Sequence, residues 1–267
     1  MSMNQSVLIC DQVNPVLNEI LEKNGLQITY EPEITPEQIL EKIENFEVII
    51  VRSRTKITKD MIEKANKCQI IARVGVGLDN IDQAAAKEKN IRVINAVEGA
   101  MNAVAELVIG LMLSLAREIP RADREVRNGN WIKKELMGTE LRGKYLGIVG
   151  LGNIGKRLGR LARALNMNII GYDVVPIDEE FSSEVGLMKA DLGTLLASSD
   201  YVSLHVPLLD STKHLINAEK MSTMKNTSRI INTSRGGVID EDALYEFLKD
   251  GKLGGAALDV FEVEPAT

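Results

Sequence analysis

Gly150-Leu151-Gly152-Asn153-Ile154-Gly155 follows an apolar run at 146–149, and Asp173 stands just after the next apolar run. A glycine hexapeptide alone is weak evidence, because glycine turns are common. Strand, turn, helix, strand and then an acid about 20 residues on is the arrangement a dinucleotide site requires. Gly150 permits the tight turn, Gly152 lets the backbone approach a pyrophosphate, and Gly155 lets the helix pack on the strand. The first-turn N–H groups of that helix are left for phosphates. Asp173 can accept hydrogen bonds from the adenosine ribose hydroxyls. Its charge repels a 2′-phosphate, and Val174, Val175 and Pro176 bring no arginine, so the cofactor expected is NAD rather than NADP. The plainer alternative is a structural turn beside a surface acid.

Ligands of doubly wound sheets sit at the carboxyl ends of strands, so the residues after each strand are the other candidates. Gly75-Val76-Gly77-Leu78-Asp79 is not a second fingerprint, because Asn80 takes the third glycine position. It can present backbone N–H groups to a carboxylate, or be an ordinary turn. In Thr233-Ser234-Arg235-Gly236-Gly237, a guanidinium at a crevice mouth can grip a carboxylate at two points and polarise a neighbouring carbonyl; it can also merely anchor a loop. Asp259 ends the last strand beside the expected nicotinamide, and Glu264 can orient a histidine and hold its proton, although either acid taken singly reads as a solvated surface group. The chain has two histidines. His205 ends a strand and invites the role of base, but a lone histidine there more often lines a cofactor or the core. His214 lies in a polar loop with nothing to recommend it.

The elements that must position these residues are short apolar runs alternating with helical patterns. Strands are expected at 7–10, 27–30, 48–51, 70–74 and 91–94, then at 145–149, 169–172, 201–204, 229–232 and 255–258. Thr35-Pro36-Glu37-Gln38 has the form of a capping box. Asp240 can cap a helix running to about Asp250 that Gly251 ends. The strands lack inside–outside alternation, as parallel strands covered on both faces do, so the fold class is α/β with parallel sheets. A loop at 96–102 is expected to join two domains and lead into one long helix, 102–117. That helix is apolar nearly all round and is therefore expected to be buried, between domains or at a subunit contact. Pro120 ends or bends it.

With 267 residues, 45% hydrophobic, and a net charge of −6, the chain reads as an ordinary two-domain globular protein. The mild acidity argues against nucleic-acid or membrane partners reached through general electrostatics. Cys10 and Cys68 have no metal-ligand spacing, no metal site is expected, and both read as buried thiols. No export signal is recognised, and the longest apolar run, 107–116, is too short to span a bilayer; a cytoplasmic protein is the expectation.

Taken together, VRSRTKIT (51–58), ARVGVGLDNID (72–82), NAVAEL (102–107), MGTELRGK (137–144), GLGNIG (150–155), HVPLLDST (205–212), NTSRGGVIDE (232–241) and ALDVFEVEP (257–265) resemble the NAD-dependent D-2-hydroxyacid dehydrogenase family, over nearly the whole chain. The resemblance implies two doubly wound domains with a cleft between them: a flavodoxin-like substrate domain over 1–98 and a Rossmann-like NAD domain over 99–267. It matches Arg235 to the substrate-binding catalytic arginine and Glu264 to the acid that pairs with the catalytic histidine. Asp173 matches the ribose-binding acid. Gly150, Gly152, Asn153, Ile154, Gly155, His205, Val206, Pro207, Thr212, Thr233, Ser234 and Asp259 match cofactor positions, with Val76 near the nicotinamide. Arg52, Ser53, Gly75, Val76 and Gly77 fall on the substrate side. His205 thereby maps to the cofactor wall and not to the proton acceptor.

The activity implied is oxidation of a D-2-hydroxy acid by hydride transfer. Residues 137–141 and the cations Arg52, Arg54, Lys133 and Lys134 favour a phosphate-bearing acid, 3-phosphoglycerate in serine synthesis, unless these charges are merely solvated. Glyoxylate or hydroxypyruvate reduction is the close alternative, and a non-catalytic NAD-sensing protein is the alternative from another class. The family's catalytic histidine lies in a Pro-His pair beyond the Glu-Pro motif, and the sequence stops at Thr267. A shortened chain is therefore expected, nearly inactive but still able to bind NAD, because ending at Pro265-Ala266-Thr267 leaves a parallel sheet without its closing elements. A homodimer is expected from the long apolar helix and from Trp131.

Overall fold

The structure, a computed structural model, describes residues 5–266. It forms two compact units, Met1–Ala100 and Met101–Thr267.

In the first unit, β1 (Ser6–Ile9), β2 (Gln27–Tyr30), β3 (Val48–Val51), β4 (Ile70–Arg73) and β5 (Arg92–Asn95) make one parallel sheet in the order β2-β1-β3-β4-β5. Side chains alternate faces along a strand. Here Leu8, Ile49, Val51 and Ile71 enter one core while Val7, Ile9 and Ile50 enter the other. Both faces are covered, which is why the runs read as continuously apolar. Burying each such side chain fully stabilises the fold by about 1.5–3 kcal/mol. The helices start where polar caps stand. Thr35 and Gln38 close the expected capping box at the head of α2 (Pro36–Lys42), and Asp82 accepts from Ala85 N at 2.9 Å at the head of α4 (Gln83–Glu88).

The second unit holds six parallel strands: β6 (Tyr145–Val149), β7 (Asn168–Tyr172), β8 (Met188–Lys189), β9 (Tyr201–Leu204), β10 (Arg229–Asn232) and β11 (Gly255–Leu258), in the order β11-β10-β9-β6-β7-β8. Leu146, Ile148, Ile169, Tyr201 and Ile231 pack on one face; Val149, Ile170, Val202, Leu204 and Ile230 pack on the other. The order reverses between β6 and β9, and the glycine elbow opens from β6 into α7 (Asn153–Ala164) at that switch point. Asp240 caps α11 (Glu241–Lys249) by accepting from Ala243 N, and Gly251 follows at φ +65°.

Two expectations are corrected. The loop at 96–102 is mostly helix: α5 runs Val97–Arg117. Gly99 reads as a breaker, but the apolar residues that follow supply enough packing for the helix to extend back through it. Within the single chain α5 is covered on one face, and the subunit contact expected for it would take the other. Ala105, Val108, Met112 and Ala116 face the second unit's core, whereas Leu107 and Leu113 are exposed, and only 22% of Gly99–Arg117 is buried. By length and composition this stretch could also cross a membrane, so the 107–116 run understates it. Glu118 adopts a left-handed conformation (φ +52°) and ends α5, which places Pro120 in the first turn of α6 (Ile119–Arg127).

Candidate functional site

The candidates of the second unit lie at strand ends of its sheet or in the loops and the helix start that follow them. Gly150 N donates to Tyr172 O at 2.9 Å, which ties the elbow to the end of β7. Gly150 has φ +94°, and a Cβ there would sit 2.5 Å from the His205 carbonyl oxygen. A Cβ on Gly155 would collide with the Gly150 carbonyl oxygen. Gly152 differs: nothing lies within 4 Å of its Cβ position, and as N-cap of α7 it offers no side-chain acceptor. The N–H groups of Asn153, Ile154 and Gly155 therefore face the open side of the elbow without intrahelical partners.

Asp173 joins this cluster. Its carboxylate accepts from Leu151 N at 2.6 Å and from Val175 N at 3.0 Å, which leaves acceptor capacity on both oxygens. His205 N donates to Val149 O at 2.8 Å, and Val206 abuts Gly150. Thr212 spends its hydroxyl on its own loop, donating to Pro207 O at 2.6 Å and accepting from Leu209 N at 2.8 Å; it fixes the turn that carries Pro207.

Beyond β10, Ser234 N and Oγ both donate to Asn232 Oδ1, and Asn232 Nδ2 donates to Arg235 O at 2.8 Å. Arg235 Nη1 donates to Ser234 O at 2.6 Å. Thr233 Oγ1 is buried with no hydrogen-bond partner. Asp259 N donates to Asn232 O at 2.9 Å, a Cβ on Gly236 would strike Phe261 O, and Glu264 accepts from Phe261 N at 3.1 Å. Arg235, Asp259 and Glu264 thus belong to two loops in mutual contact. From β11 to β7 the sheet's carboxyl edge presents Asp259, Thr233, His205, Gly150 and Asp173 in a row that straddles the switch point. An uncapped helix start, an elbow clear at Gly152 and an orphaned buried hydroxyl at Thr233 fit an elongated dinucleotide laid along that row.

Burial pushes the His205 pKa down to about 4, and its Nε2 lies 2.9 Å from Ser203 Oγ, so the ring is neutral at physiological pH. An unfolded histidine takes its proton near pH 6.5. Between those values the unfolded chain binds more protons, and stability falls as pH drops from about 6.5 to 4, by about 2 kcal/mol for this group. Thermal melts across that window should show the loss in the wild type and not in His205→Gln. His214, for which the sequence offers no role, pairs with Glu262 at 3.0 Å. Burial also pushes the Cys10 and Cys68 thiols up, to about 12 and about 11, which leaves both unreactive.

In the first unit, Arg52 and Ser53 follow β3, and Gly75, Val76 and Gly77 follow β4. Asn95 Nδ2 donates to Val76 O and holds that turn. The Arg73 guanidinium lies against Gly75, a cation that sequence reading passed over although it ends β4. Arg54 does not fit the phosphate role expected of it. Nε pairs with Asp11 at 3.0 Å, Nη1 donates to Ile34 O, and Nη2 donates to Cys10 O and Pro32 O. It is a strap across strand ends, so the loss expected on its removal is one of fold rather than of substrate contact. Asp11, Asn95 and Asn232 are further bracing residues, and an aspartate or asparagine just after an apolar run is their common signal; Asn80, read from the sequence only as the residue in the third glycine position, carries no such signal.

The sequence profile described as D-isomer specific 2-hydroxyacid dehydrogenase, NAD binding domain, matches residues 109–267. A D-3-phosphoglycerate dehydrogenase of Methanocaldococcus jannaschii is 46% identical over 97% of this chain and 49% of its own length. A hydroxypyruvate reductase of Thermotoga maritima is 47% identical over 93% of this chain and 79% of its own. The crystal structure of a glyoxylate reductase from Paecilomyes thermophila superposes with a TM-score of 0.90 at 31% identity, covering 99% of this chain and 84% of that one. The chain spans about half the length of the phosphoglycerate dehydrogenases it matches. By this profile and these relatives, the chain belongs to the D-isomer specific 2-hydroxyacid dehydrogenase family, with NAD as its cofactor.

Proposed function

We propose that the protein oxidises a D-2-hydroxy acid with NAD, that the first unit carries the substrate loops and the second the cofactor, and that the substrate is 3-phosphoglycerate. The observation carrying this reading is the row of strand-end residues in the second unit, from Asp259, whose loop touches that of Arg235, to Asp173. NAD, when bound, supplies the acceptor for the hydride leaving C2. Asp173 holds the adenosine ribose. Asn153, Ile154 and Gly155 bind the phosphates through backbone N–H groups. Val206, Pro207, Thr233, Ser234 and Asp259 line the remainder.

Arg235 offers its guanidinium to the substrate carboxylate and to the oxygen that becomes a carbonyl. Gly75, Val76 and Gly77 add N–H donors, with Arg52 and Ser53 beside them. Neither histidine of the chain suits the proton step: His205 is half-buried and neutral, and His214 is held by Glu262. The reading assigns that step to the histidine that the family resemblance pairs with Glu264, whose negative charge favours the protonated ring.

Hydroxypyruvate reduction is the second reading. The engagement of Arg54 with Asp11 removes one of four phosphate-side cations, and the Thermotoga maritima relative bears that name over most of its length. Steady-state kcat/KM of the full-length protein on 3-phosphoglycerate, hydroxypyruvate and glyoxylate separates the two. Phosphoglycerate is expected to lead; hydroxypyruvate in the lead favours the reductase; no turnover on any of them overturns both.

We also assign the protein to the cytoplasm as a homodimer without membrane or nucleic-acid partners. Leu107 and Leu113 on α5 are exposed, Trp131 is 81% exposed, and a groove of about 780 Å³ lies between α6 and the Trp131 arm. An aromatic side chain this open ordinarily belongs to an interface. Sedimentation at micromolar concentration should give a dimer for the wild type and a monomer for the Leu107→Glu, Trp131→Glu double variant. A monomeric wild type overturns the assignment.

A further inference from the structure

The first unit's sheet order reverses between β1 and β3, the crevice where ligands sit in sheets of this order. In this chain that crevice is bridged by a side chain. Asp11, two residues past β1 and 2% exposed, accepts from Arg52 N, from Thr55 Oγ1 at 2.8 Å and Thr55 N at 3.4 Å, and pairs with Arg54 Nε at 3.0 Å. Asn80 grips the same loop by its carbonyls. Its Nδ2 donates to Arg52 O at 2.7 Å and Thr55 O at 2.6 Å, while its own carbonyl accepts from Ile57 N at 2.7 Å. The backbone of loop 52–55 is thus fixed through N–H groups from one side and through C=O groups from the other. The side chains of Arg52 and Ser53 stay exposed.

We propose that Asp11 is a positioning residue that, with Asn80 as its counterpart, holds loop 52–55 in the geometry that receives the substrate, without touching substrate itself. The inference rests on the reading of Arg52 and Ser53 as substrate-side residues. A buried carboxylate serves here because it accepts up to four donors in a small space, and this loop supplies four. Its removal frees the loop to sample other arrangements, and the ordering of the loop is then charged to substrate binding.

Asp11→Asn in the full-length protein keeps the shape but turns one acceptor into a donor facing Arg52 N or Thr55 Oγ1. The expected result is a KM for the 2-hydroxy acid raised about tenfold, kcat changed less than about twofold, and the KM for NAD unchanged. Hydrogen exchange of the Arg52 and Thr55 amides should be faster by about tenfold or more. Asn80→Ala is expected to give the same split, and it carries the test if Asp11→Asn does not fold. A lowered melting temperature with an unchanged substrate KM and unchanged exchange at 52 and 55 overturns the proposal, because a merely structural role predicts that pattern. Absence of turnover in the wild type would instead strike the substrate-side reading. The amide exchange of Arg52 and Thr55 would still decide whether Asp11 positions the loop.

Discussion

Arg235→Lys is expected to lower kcat/KM for the 2-hydroxy acid by about 10²–10³-fold while leaving NAD affinity within about twofold. Lysine keeps the charge, so the loss isolates geometry. A guanidinium donates two parallel hydrogen bonds to a carboxylate and still reaches an adjacent oxygen, whereas an ammonium acts as a point charge. The loop that presents Arg235 is braced by Asn232, which accepts from Ser234 and donates to the Arg235 carbonyl. The strand end therefore stays in place when the side chain changes. Stopped-flow reduction of NAD with saturating substrate, beside a direct NAD titration, reads the two effects separately. A loss below about threefold would reduce Arg235 to an anchor of its loop.

The second large effect is a contrast between two glycines of one elbow. In Gly155→Ala the new methyl falls on the Gly150 carbonyl oxygen and within 3.2 Å of Ile148. One partner is backbone and the other is core, so neither gives way cheaply. The helix start must back off the strand, at a stability loss of about 1–3 kcal/mol. A displacement of about 1 Å at the phosphate donors is expected to weaken NAD about 10²-fold. Gly152→Ala has no neighbour to meet within 4 Å and sits at φ −70°, a conformation alanine adopts. Its methyl occupies only the space the pyrophosphate needs. It should melt like the wild type and still bind NAD at least about tenfold more weakly. Calorimetric titration with parallel melting curves checks the pair. Unchanged NAD affinity in Gly152→Ala would mean that no phosphate approaches that backbone.

What the sequence disclosed and what it hid differ by the range of the interaction. β2, β3, β6, β9, β10 and β11 carry the same bounds in sequence and structure; β3, β6, β9 and β10 do so as largely buried apolar runs bounded by polar turn residues, whereas β2 and β11 are edge strands without a fully buried residue. The caps at Thr35 and Asp240 were legible because a cap and its partner stand three residues apart. β8 was missed: two exposed residues, Met188 and Lys189, carry no periodic signal. Gly99, of low helix propensity, hides the head of α5 in the sequence, and packing further along the helix outweighs it. The residues that brace the candidate site were the least legible. Asp11 meets Arg52, Arg54 and Thr55 more than 40 positions away, and Asn80 meets Arg52 at a separation of 28. No local pattern encodes such pairs. For the same reason Arg54 stands in the sequence as a basic residue of the 51–58 motif, while its acceptors Asp11, Ile34, Cys10 and Pro32 lie far from it along the chain.

A crystal structure of the protein grown with NAD tests most directly whether an extended NAD lies along the carboxyl edge of the second sheet. The adenosine ribose is predicted to lie within hydrogen-bond distance of Asp173, the pyrophosphate over Gly152 at the start of α7, and the nicotinamide beside Thr233 and Asp259. A nucleotide found elsewhere, or one reversed so that its adenine rests by Arg235, would contradict it.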